Sequence, residues 1–406
     1  MTSLAAPLEG VRVIDLSRVV SGPLCGRMLA DMGAEVVKVE PPTGDVTRTV
    51  PPDVGGFSPY FAQMNAGKRN VCVDLKAPGG VEVVRRLAAA SDVLIENFRP
   101  GVLAGLGLGA AALLGDNPRL VYCSITGWGQ EGPWRNRQAY APLVHAQAGM
   151  LELSSRLRGR PAEQELHVHG DTYPALVAAN AVLAALLQRA RTGLGQHLDI
   201  AMAEVLLYVN EWTAVELQDE VTDPGAFDIW THWVLPLGDG TAVTLVGNPT
   251  RNFASWVQAL GGDPALLADE RFASPSARDA HVAEVRAVLT ELTARFADFA
   301  AIEAALADWP LMVGELRSIA EVARGPWAAH RHLLADALPG LPLPAAPWRS
   351  ATSAVGVAGP PARRGEHNRE VLADVAGFAP DEIDDLLASG ALLAEQAPPT
   401  AHAGAI

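Results

Sequence analysis

The chain has 406 residues, of which 49% are hydrophobic and 19% charged, and its formal net charge is −15. This composition excludes an intrinsically disordered protein and predicts a large core divided into two or three domains, or one large domain with a smaller insert. A strongly acidic surface argues against nucleic acid or a membrane surface as a partner, so any anionic ligand must meet a local basic patch.

The three cysteines, Cys25, Cys72 and Cys123, lie far apart in apolar surroundings and show no metal-ligand spacing. They predict buried free thiols in a reducing compartment and no metal site. The first residues, MTSLAAPLEG, lack the pattern of a signal peptide, and no apolar run reaches membrane-spanning length. We therefore expect a cytoplasmic protein that does not span a membrane.

The first half of the chain alternates short β-branched runs with helical patterns. Strands are predicted at 11–17, 35–40, 70–76, 92–98, 119–127 and 195–202, and helices at 22–33, 79–91, 172–192 and 203–218. This alternation predicts an α/β fold, with a parallel sheet covered on both faces. Ligands of such sheets bind beyond the carboxyl ends of the strands, so the loops that follow the strands are the first candidates for a site.

The composition shifts near residue 220. A hairpin is predicted at 233–247, helices at about 250–260, 279–296 and 299–308, a proline-rich extended segment at 338–348, and helices at 365–375 and 379–392. The predicted organisation is the first part of a large domain at 1–220, a small α+β domain at 221–330, a linker and return to the large domain at 331–395, and a flexible tail at 396–406.

The segment LHVHGDTYPAL (166–176) raises a specific question about Asp171. His167 and His169 alternate with apolar residues, which predicts the end of a strand, where we interpret them as packing residues. Gly170 and Asp171 then precede the long helix. An aspartate there is ordinarily an N-cap that accepts backbone N–H bonds. The same position would keep the carboxylate ionised, because the helix N-terminus favours an anion, and an ionised carboxylate can act as a nucleophile.

Six further stretches form one ordered pattern together with Gly170-Asp171. They are LEGVRVIDLSRVVSGPLCGRMLADMGAEVVKVEPPTGD (8–45), NAGKRNVCVDLK (65–76), DVLIENFRPGVLAGLGLG (92–109), NPRLVYCSITGWGQEGP (117–133), TGLGQHLDIAM (192–202) and GEHN (365–368). Together these stretches resemble the class III CoA-transferase family, which includes formyl-CoA transferase and the carnitine CoA-transferases. The alpha-methylacyl-CoA racemases share the fold and most of the motifs.

The resemblance implies a Rossmann-like large domain built from both ends of the chain, a small domain inserted between them, and an interlocked homodimer. It implies coenzyme A as a cosubstrate, with no tightly bound cofactor, and acyl-CoA and a carboxylic acid as partners. Asp171 matches the catalytic carboxylate, which displaces CoA thiolate to form an anhydride, then an aspartyl-CoA thioester, before the acceptor acid reverses the sequence.

The resemblance also implies the residues around the substrates. The CoA-contacting positions correspond to Val19, Val73, Lys76, Asn97, Phe98 and Arg99, and the oxyanion or substrate pocket to Val20, Ser21, Tyr140 and Gly247. Pro41 and Gly105 stand where arginines often contact the nucleotide, so Arg48, Lys68 and Arg69 are candidate replacements. GNPTRNF (247–253) replaces the glycine-rich closing loop of formyl-CoA transferase, which puts a mobile lid in doubt.

Two other functions deserve comparison with transfer. The racemases use a His–Asp pair for proton transfer. Tyr140 and Ala141 fall on the positions of their histidine and its neighbouring acid, and His145 is expected to point elsewhere. A tyrosine is too weak a base at neutral pH, which favours transfer.

A non-catalytic CoA-binding protein is disfavoured by the intact Gly170-Asp171 step. GLGLG (105–109) lacks the spacing and the preceding strand of a dinucleotide fingerprint.

Overall fold

The computed structural model describes residues 5–218 and 232–395. The chain divides into two compact units, the first comprising Met1–Leu153, Ala162–Thr213 and Pro326–Ile406, and the second Ser154–Pro161 and Ala214–Gly325. The predicted domain bounds, 1–220, 221–330 and 331–395, stay predictions, and the predicted tail at 396–406 lies outside the described residues.

The strands of the described residues are numbered in chain order. They are β1 (Arg12–Asp15), β2 (Glu35–Glu40), β3 (Arg69–Cys72), β4 (Val93–Glu96), β5 (Val121–Thr126), β6 (Gln196–Ala201), β7 (Trp233–Pro236), β8 (Ala242–Val246), β9 (Met312–Glu315), β10 (Leu334–Leu338) and β11 (Leu341–Pro344). The first six form one parallel sheet in the order β3-β2-β1-β4-β5-β6. The predicted α/β fold with a parallel sheet is thus confirmed, and the strand order is that of a Rossmann sheet.

The α-helices are numbered in the same way. They are α1 (Ser21–Asp31), α2 (Pro59–Asn65), α3 (Gly80–Ala89), α4 (Val102–Gly105), α5 (Ala110–Asp116), α6 (Ala141–Gln147), α7 (Met150–Arg158), α8 (His169–Thr192), α9 (Met202–Val209), α10 (Thr213–Glu216), α11 (Phe253–Ala259), α12 (Pro275–Ala280), α13 (Val282–Thr293), α14 (Phe299–Ala305), α15 (Ile319–Arg324), α16 (Pro326–His330), α17 (Asn368–Asp374) and α18 (Pro380–Ala388).

Alternate residues of the parallel strands feed two separate cores, one on each face of the sheet. Val13 packs in a cluster with residues of α1, α8 and α9, whereas Ile14 packs in a cluster with residues of α3, α17 and α18. Both side chains are fully buried. Because the central strands are covered on both faces, their sequences are mostly apolar, which is why the strands were predictable.

The helix α8 begins at His169, three residues before the predicted start. The predicted strand end at 167–169 is therefore wrong. The His169 ring stacks on Tyr173, one helical turn later, with ring centroids 5.0 Å apart, and this contact favours the helix. By length and composition α8 could cross a membrane. Ala175, Ala178 and Val182 are, however, fully buried in the core beside α1, and this packing accounts for its apolar character.

The second unit contains the antiparallel sheet β7-β8-β9, which confirms the predicted hairpin at 233–247. Its core includes Trp256 and Phe253 of α11 and Leu289 of α13, all fully buried. The proline-rich segment belongs to the first unit. It is extended as predicted over β11, which pairs with the preceding strand β10 in antiparallel fashion.

Candidate active site

The strand order reverses between β1 and β4, and at such a point the two following loops separate and leave a crevice. The loops at this crevice are tied together by Asn97, which follows β4. Its amide nitrogen donates to the Arg18 carbonyl (2.7 Å) and the Ser21 hydroxyl (3.2 Å), and its oxygen accepts from the Arg18 N–H (2.9 Å). Asn97 therefore holds the turn between β1 and α1, instead of presenting a free amide to a ligand.

That turn contains a strained residue. Val19 has a φ of 71°, a left-handed conformation that costs a β-branched residue about 1–3 kcal/mol. The Val19 N–H donates to the Asp45 carboxylate (3.1 Å), and Lys38 pairs with the same carboxylate at 3.3 Å. Val20 is buried at the N-cap of α1 and Ser21 is its first residue. This buried ion pair thus fixes where the first N–H groups of α1 lie.

The helix α8 brings Asp171 to the same edge of the sheet. Since α8 leads into β6 and β6 runs parallel to its neighbours, the helix N-terminus lies at the carboxyl edge of the strands. Asp171 is the third residue of α8 and is only 9% exposed. The N-cap is Val168, which supplies no side-chain bond. The interpretation of Asp171 as the N-cap is therefore wrong, because the helix begins two residues before it.

The charge state of Asp171 also differs from the expectation. Within the described residues its carboxylate accepts no hydrogen bond, so nothing compensates for its removal from water. Burial raises the pKa of Asp171 from 3.8 to about 6. A cap would have lowered the pKa, because bonds to the anion favour it. The carboxylate is still mostly ionised at neutral pH, and as the base of a weaker acid it is a better nucleophile than a solvated carboxylate.

This shift predicts that Asp171→Asn stabilises the protein at neutral pH. The folded state binds a proton more tightly than the unfolded state, so its stability falls as the pH rises from about 3.8 through about 6. Two pKa units correspond to at most about 3 kcal/mol. We expect the variant to melt several degrees above the wild type at pH 8, with a difference that shrinks below pH 6. Equal melting at pH 8 would contradict the burial argument.

Tyr60, in α2, is a site residue that the sequence did not reveal. Burial raises the pKa of its phenol, and the charges of Asp171 and Asp45 raise it further. The phenol is therefore within electrostatic range of both carboxylates, one at the start of α8 and the other under the Val19 turn. Nothing in the pattern SPYFAQMN (58–65) marks Tyr60, since its role depends on residues distant in the chain.

The start of α6 packs against the Gly170-Asp171 step. A Cβ on Gly170 would lie 3.2 Å from the Ala141 Cα and 3.2 Å from the His145 ring, so a larger residue would have to push these neighbours away. Tyr140, the residue before α6, is 64% exposed at this end of the helix. His145 was expected to point elsewhere. Its Nε2 accepts the Gly170 N–H at 2.8 Å, so the ring lies against the backbone beside Asp171.

The residues predicted to contact CoA differ in how far their side chains are exposed to a ligand. Val73 is buried in the core between the sheet and α18, whereas Lys76 and Arg99 are exposed and their side chains bond no described residue. Phe98 lies beneath the Arg18 guanidinium, 5.5 Å from its ring centroid. Lys76, Arg99 and Phe98 thus follow strand ends. Two cations and an aromatic ring are groups that suit the phosphates and the adenine of coenzyme A.

The three candidate replacements for arginines at Pro41 and Gly105 are all paired with carboxylates. Arg48 contacts Glu40 at 2.7 Å, and Arg69 pairs with Glu35 and Glu370. Lys68 is 3% exposed and donates to Asp15 at 2.8 Å. Their charges are therefore already compensated within the fold.

Gly247 belongs to the second unit. It has a φ of 93°, and its N–H donates to the His232 Nδ1 at 3.2 Å. An N–H already engaged in this way has to change partner before it can serve an oxyanion. Its part in the pocket stays a prediction.

A second polar cluster lies on β4, β5 and β6, where Glu96 ends β4, Ser124 lies within β5 and His197 lies near the start of β6. Burial raises the pKa of Glu96 to about 7, and Ser124 Oγ lies 3.0 Å from His197 Nε2. These residues line a cavity of about 60 Å³ together with Arg99 and Gln130. A few water molecules fill that volume, and coenzyme A does not. Within the described residues, no group of three or more His, Cys, Asp or Glu side chains could hold a metal ion.

Comparison with known proteins agrees with this geometry. The profile of CoA-transferase family III matches residues 8–368. The chain is 35% identical to a succinate–glutarate CoA-transferase of Agrobacterium fabrum over 92% of this chain and 97% of that one. It is 30% identical to a formyl-CoA:oxalate CoA-transferase of Streptomyces avermitilis over 95% and 99%.

The fold has a solved counterpart. The crystal structure of a CAIB/BAIF family protein from Brucella suis superposes with a TM-score of 0.80 at 32% identity, covering 91% of this chain and all of that one. The similarity thus extends over nearly the whole length of both chains. The chain therefore belongs to CoA-transferase family III and is a CoA-transferase.

Proposed function

We propose that Asp171 is the nucleophile through which this enzyme transfers CoA from an acyl-CoA to a carboxylic acid. The observation that carries the proposal is a buried carboxylate that accepts no hydrogen bond from any described residue and whose pKa is raised to about 6. It stands at the carboxyl edge of a Rossmann sheet, within electrostatic range of the Tyr60 phenol. Such a carboxylate is ionised at working pH, and reaction with a thioester relieves the cost of its buried charge.

The steps balance without a cofactor. An Asp171 oxygen attacks the thioester carbonyl, the C–S bond breaks, and an acyl-aspartyl anhydride and CoA thiolate result. The thiolate then attacks the Asp171 carbonyl, forming an aspartyl-CoA thioester and releasing the donor acid. The acceptor carboxylate attacks this thioester, and the freed thiolate attacks the acceptor carbonyl of the new anhydride. Acyl-CoA leaves, and the Asp171 carboxylate is restored.

The N–H groups at the start of α1 are the candidate oxyanion donors. Ser21 and Gly22 occupy its first turn, and within the described residues neither backbone N–H donates a hydrogen bond. The four tetrahedral intermediates of the double exchange each carry an oxyanion, and fixed N–H groups stabilise such charge without reorganisation. Holding the strained Val19 turn in place would then serve catalysis directly.

Proton transfer of the racemase type is less well supported. It requires a base whose lone pair faces the substrate carbon. The imidazole of His145, which lies beside the Gly170-Asp171 step, has its Nε2 lone pair engaged by the Gly170 N–H and is 2% exposed. Tyr140 remains the other candidate, and its phenol is too weak a base at neutral pH.

We extend the proposal to short dicarboxylic acids as donors and acceptors. The two relatives described above are named for succinate, glutarate and oxalate. A dicarboxylate needs a cation for its second carboxylate, which a protein of net charge −15 can provide only locally. A panel of succinate, glutarate, oxalate and matched monocarboxylic acids measures this preference.

Oxygen labelling tests the covalent route. When the acceptor acid carries two ¹⁸O atoms, one of them should remain on Asp171 after a single turnover, adding 2 Da to the peptide that contains it. During repeated turnovers this oxygen should appear in the released donor acid. Transfer without label on Asp171 would exclude the aspartyl route. Deuterium entering the α carbon of the acyl group in D₂O, with no acceptor acid present, would instead support the racemase reaction.

Location and assembly complete the proposal. Cys25, Cys72 and Cys123 are buried free thiols, which is consistent with a reducing cytoplasm. We also propose the interlocked homodimer that the family resemblance implies, without a tightly bound cofactor. Light scattering on the purified protein measures the mass of the assembly, and mass spectrometry of the native protein detects any retained cofactor.

A further inference from the structure

The first turn of α8 is completed by a side chain from another helix. Four N–H groups at the start of an α-helix have no partner within it. In α8 three of them donate to backbone carbonyls just before the helix, and the N-cap residue, Val168, supplies no side-chain bond. These pairs are His169 to His167, Asp171 to Val168 and Thr172 to Val168. The fourth, the Gly170 N–H, donates to His145 Nε2 at 2.8 Å.

The chemistry of this bond fixes the state of His145. An imidazole nitrogen that accepts a hydrogen bond carries no proton, so the neutral ring holds its proton on Nδ1. His145 is 98% buried, and its Nδ1 finds no partner among the described residues. A buried N–H donor without a partner lowers the stability of the fold, so packing alone does not explain a histidine at this position. The bond that its Nε2 accepts from the Gly170 N–H does explain it.

The contact is also close in space. Gly170 has no side chain, and a Cβ there would lie 3.2 Å from both Nε2 and Cδ2 of His145. The ring of His145 therefore lies directly against the backbone at the residue before Asp171. Movement of this ring changes the position of the first turn of α8.

Asp171 depends on that turn for its orientation. Its carboxylate accepts no hydrogen bond from any described side chain or backbone N–H, so only its backbone and the surrounding packing hold it in place. We propose that His145 is a positioning residue for Asp171, acting through the Gly170 N–H. The inference rests on the proposed function, in which the Asp171 carboxyl group reacts in each of four steps: first as the nucleophile, then twice as the carbonyl that is attacked, and last as the leaving group. Misplacement of a reacting group by about 1 Å costs on the order of 100-fold in rate.

Paired variants of His145 test the inference in the full-length enzyme. His145→Leu removes the acceptor, whereas His145→Gln offers an amide oxygen at similar reach. For His145→Leu we expect kcat to fall roughly 10- to 100-fold with the KM for acyl-CoA within about twofold of wild type. For His145→Gln we expect kcat within about threefold. If His145→Leu does not fold, Gly170→Ala probes the same contact from the other side and should also lower kcat.

Two controls separate positioning from stability and from the proposed function. Arg189→Met disrupts the other end of α8, where Arg189 is 8% exposed and pairs with Asp92 at 2.9 Å. It should lower the melting temperature while leaving kcat unchanged. The inference is overturned if His145→Leu keeps the wild-type kcat, if His145→Gln is as slow as His145→Leu, or if Arg189→Met is equally slow. A wild-type rate in Asp171→Asn would instead overturn the proposed function itself.

Discussion

Replacing Asp171 by alanine or asparagine is expected to lower the kcat of CoA transfer at least about 1,000-fold, because no bond to the enzyme can then form. Binding of acyl-CoA should change little, since the residues expected to contact the nucleotide and the pantetheine arm are other than Asp171. Asp171→Asn is the sharper variant, because it keeps the size of the side chain and removes only the nucleophilic oxygen anion. Steady-state transfer between two acids, with binding of acyl-CoA measured by calorimetry, gives both quantities.

The matched control for this variant is Asp116→Asn. Asp116 is an exposed aspartate of α5 that pairs with Arg85 at 2.7 Å. Its loss should leave kcat and KM unchanged. If Asp171→Asn loses activity and gains stability, the buried charge of Asp171 is required for catalysis and lowers the stability of the fold. Transfer at more than a tenth of the wild-type rate in Asp171→Asn would rule out the aspartyl route.

Asp15→Asn is expected to lower the free energy of unfolding by about 3–5 kcal/mol, because it leaves the Lys68 ammonium buried without a counter-charge. Asp15 is fully buried at the end of β1 and receives bonds from Lys68 Nζ (2.8 Å) and the Ser17 N–H (3.0 Å). Burial alone would raise the pKa of Asp15, but the charges of Lys68 and Lys38 outweigh it and hold the pKa below its ordinary value. Denaturant titration at pH 7 measures the loss.

The double variant Asp15→Asn/Lys68→Met tests the cause. If the unpaired charge is responsible, removal of both charges should restore most of the lost stability, since uncharged partners of similar volume often replace a buried pair without loss. Asp116→Asn again provides the control, because an exposed pair contributes about 0–1 kcal/mol. If the double variant is as unstable as Asp15→Asn, a cause other than charge, such as the lost Lys68 bonds to the Pro23 carbonyl and Asn65, would account for the effect.

The strands of the large unit were predictable because each carries its signal locally. A strand buried on both faces needs an apolar run that ends at polar or turn residues, and VRVIDLS and EVVKVE show that pattern without reference to any partner. The start of α8 was not predictable in this way. The alternation in LHVHGD favours a strand locally, and the stacking of His169 on Tyr173 and the packing of Gly170 on α6 decide otherwise.

By itself, the sequence determined the α/β fold and the order of the motifs, and through the family resemblance it led to Asp171 as the proposed reactive carboxylate. Only the tertiary structure decided the environment of Asp171. Its raised pKa comes from burial, the nearby phenol of Tyr60 comes from α2, and the acceptor for the Gly170 N–H comes from His145, 25 residues earlier. Propensity and periodicity act over a few residues, whereas desolvation and hydrogen bonds between helices depend on which distant residues the folded chain brings together.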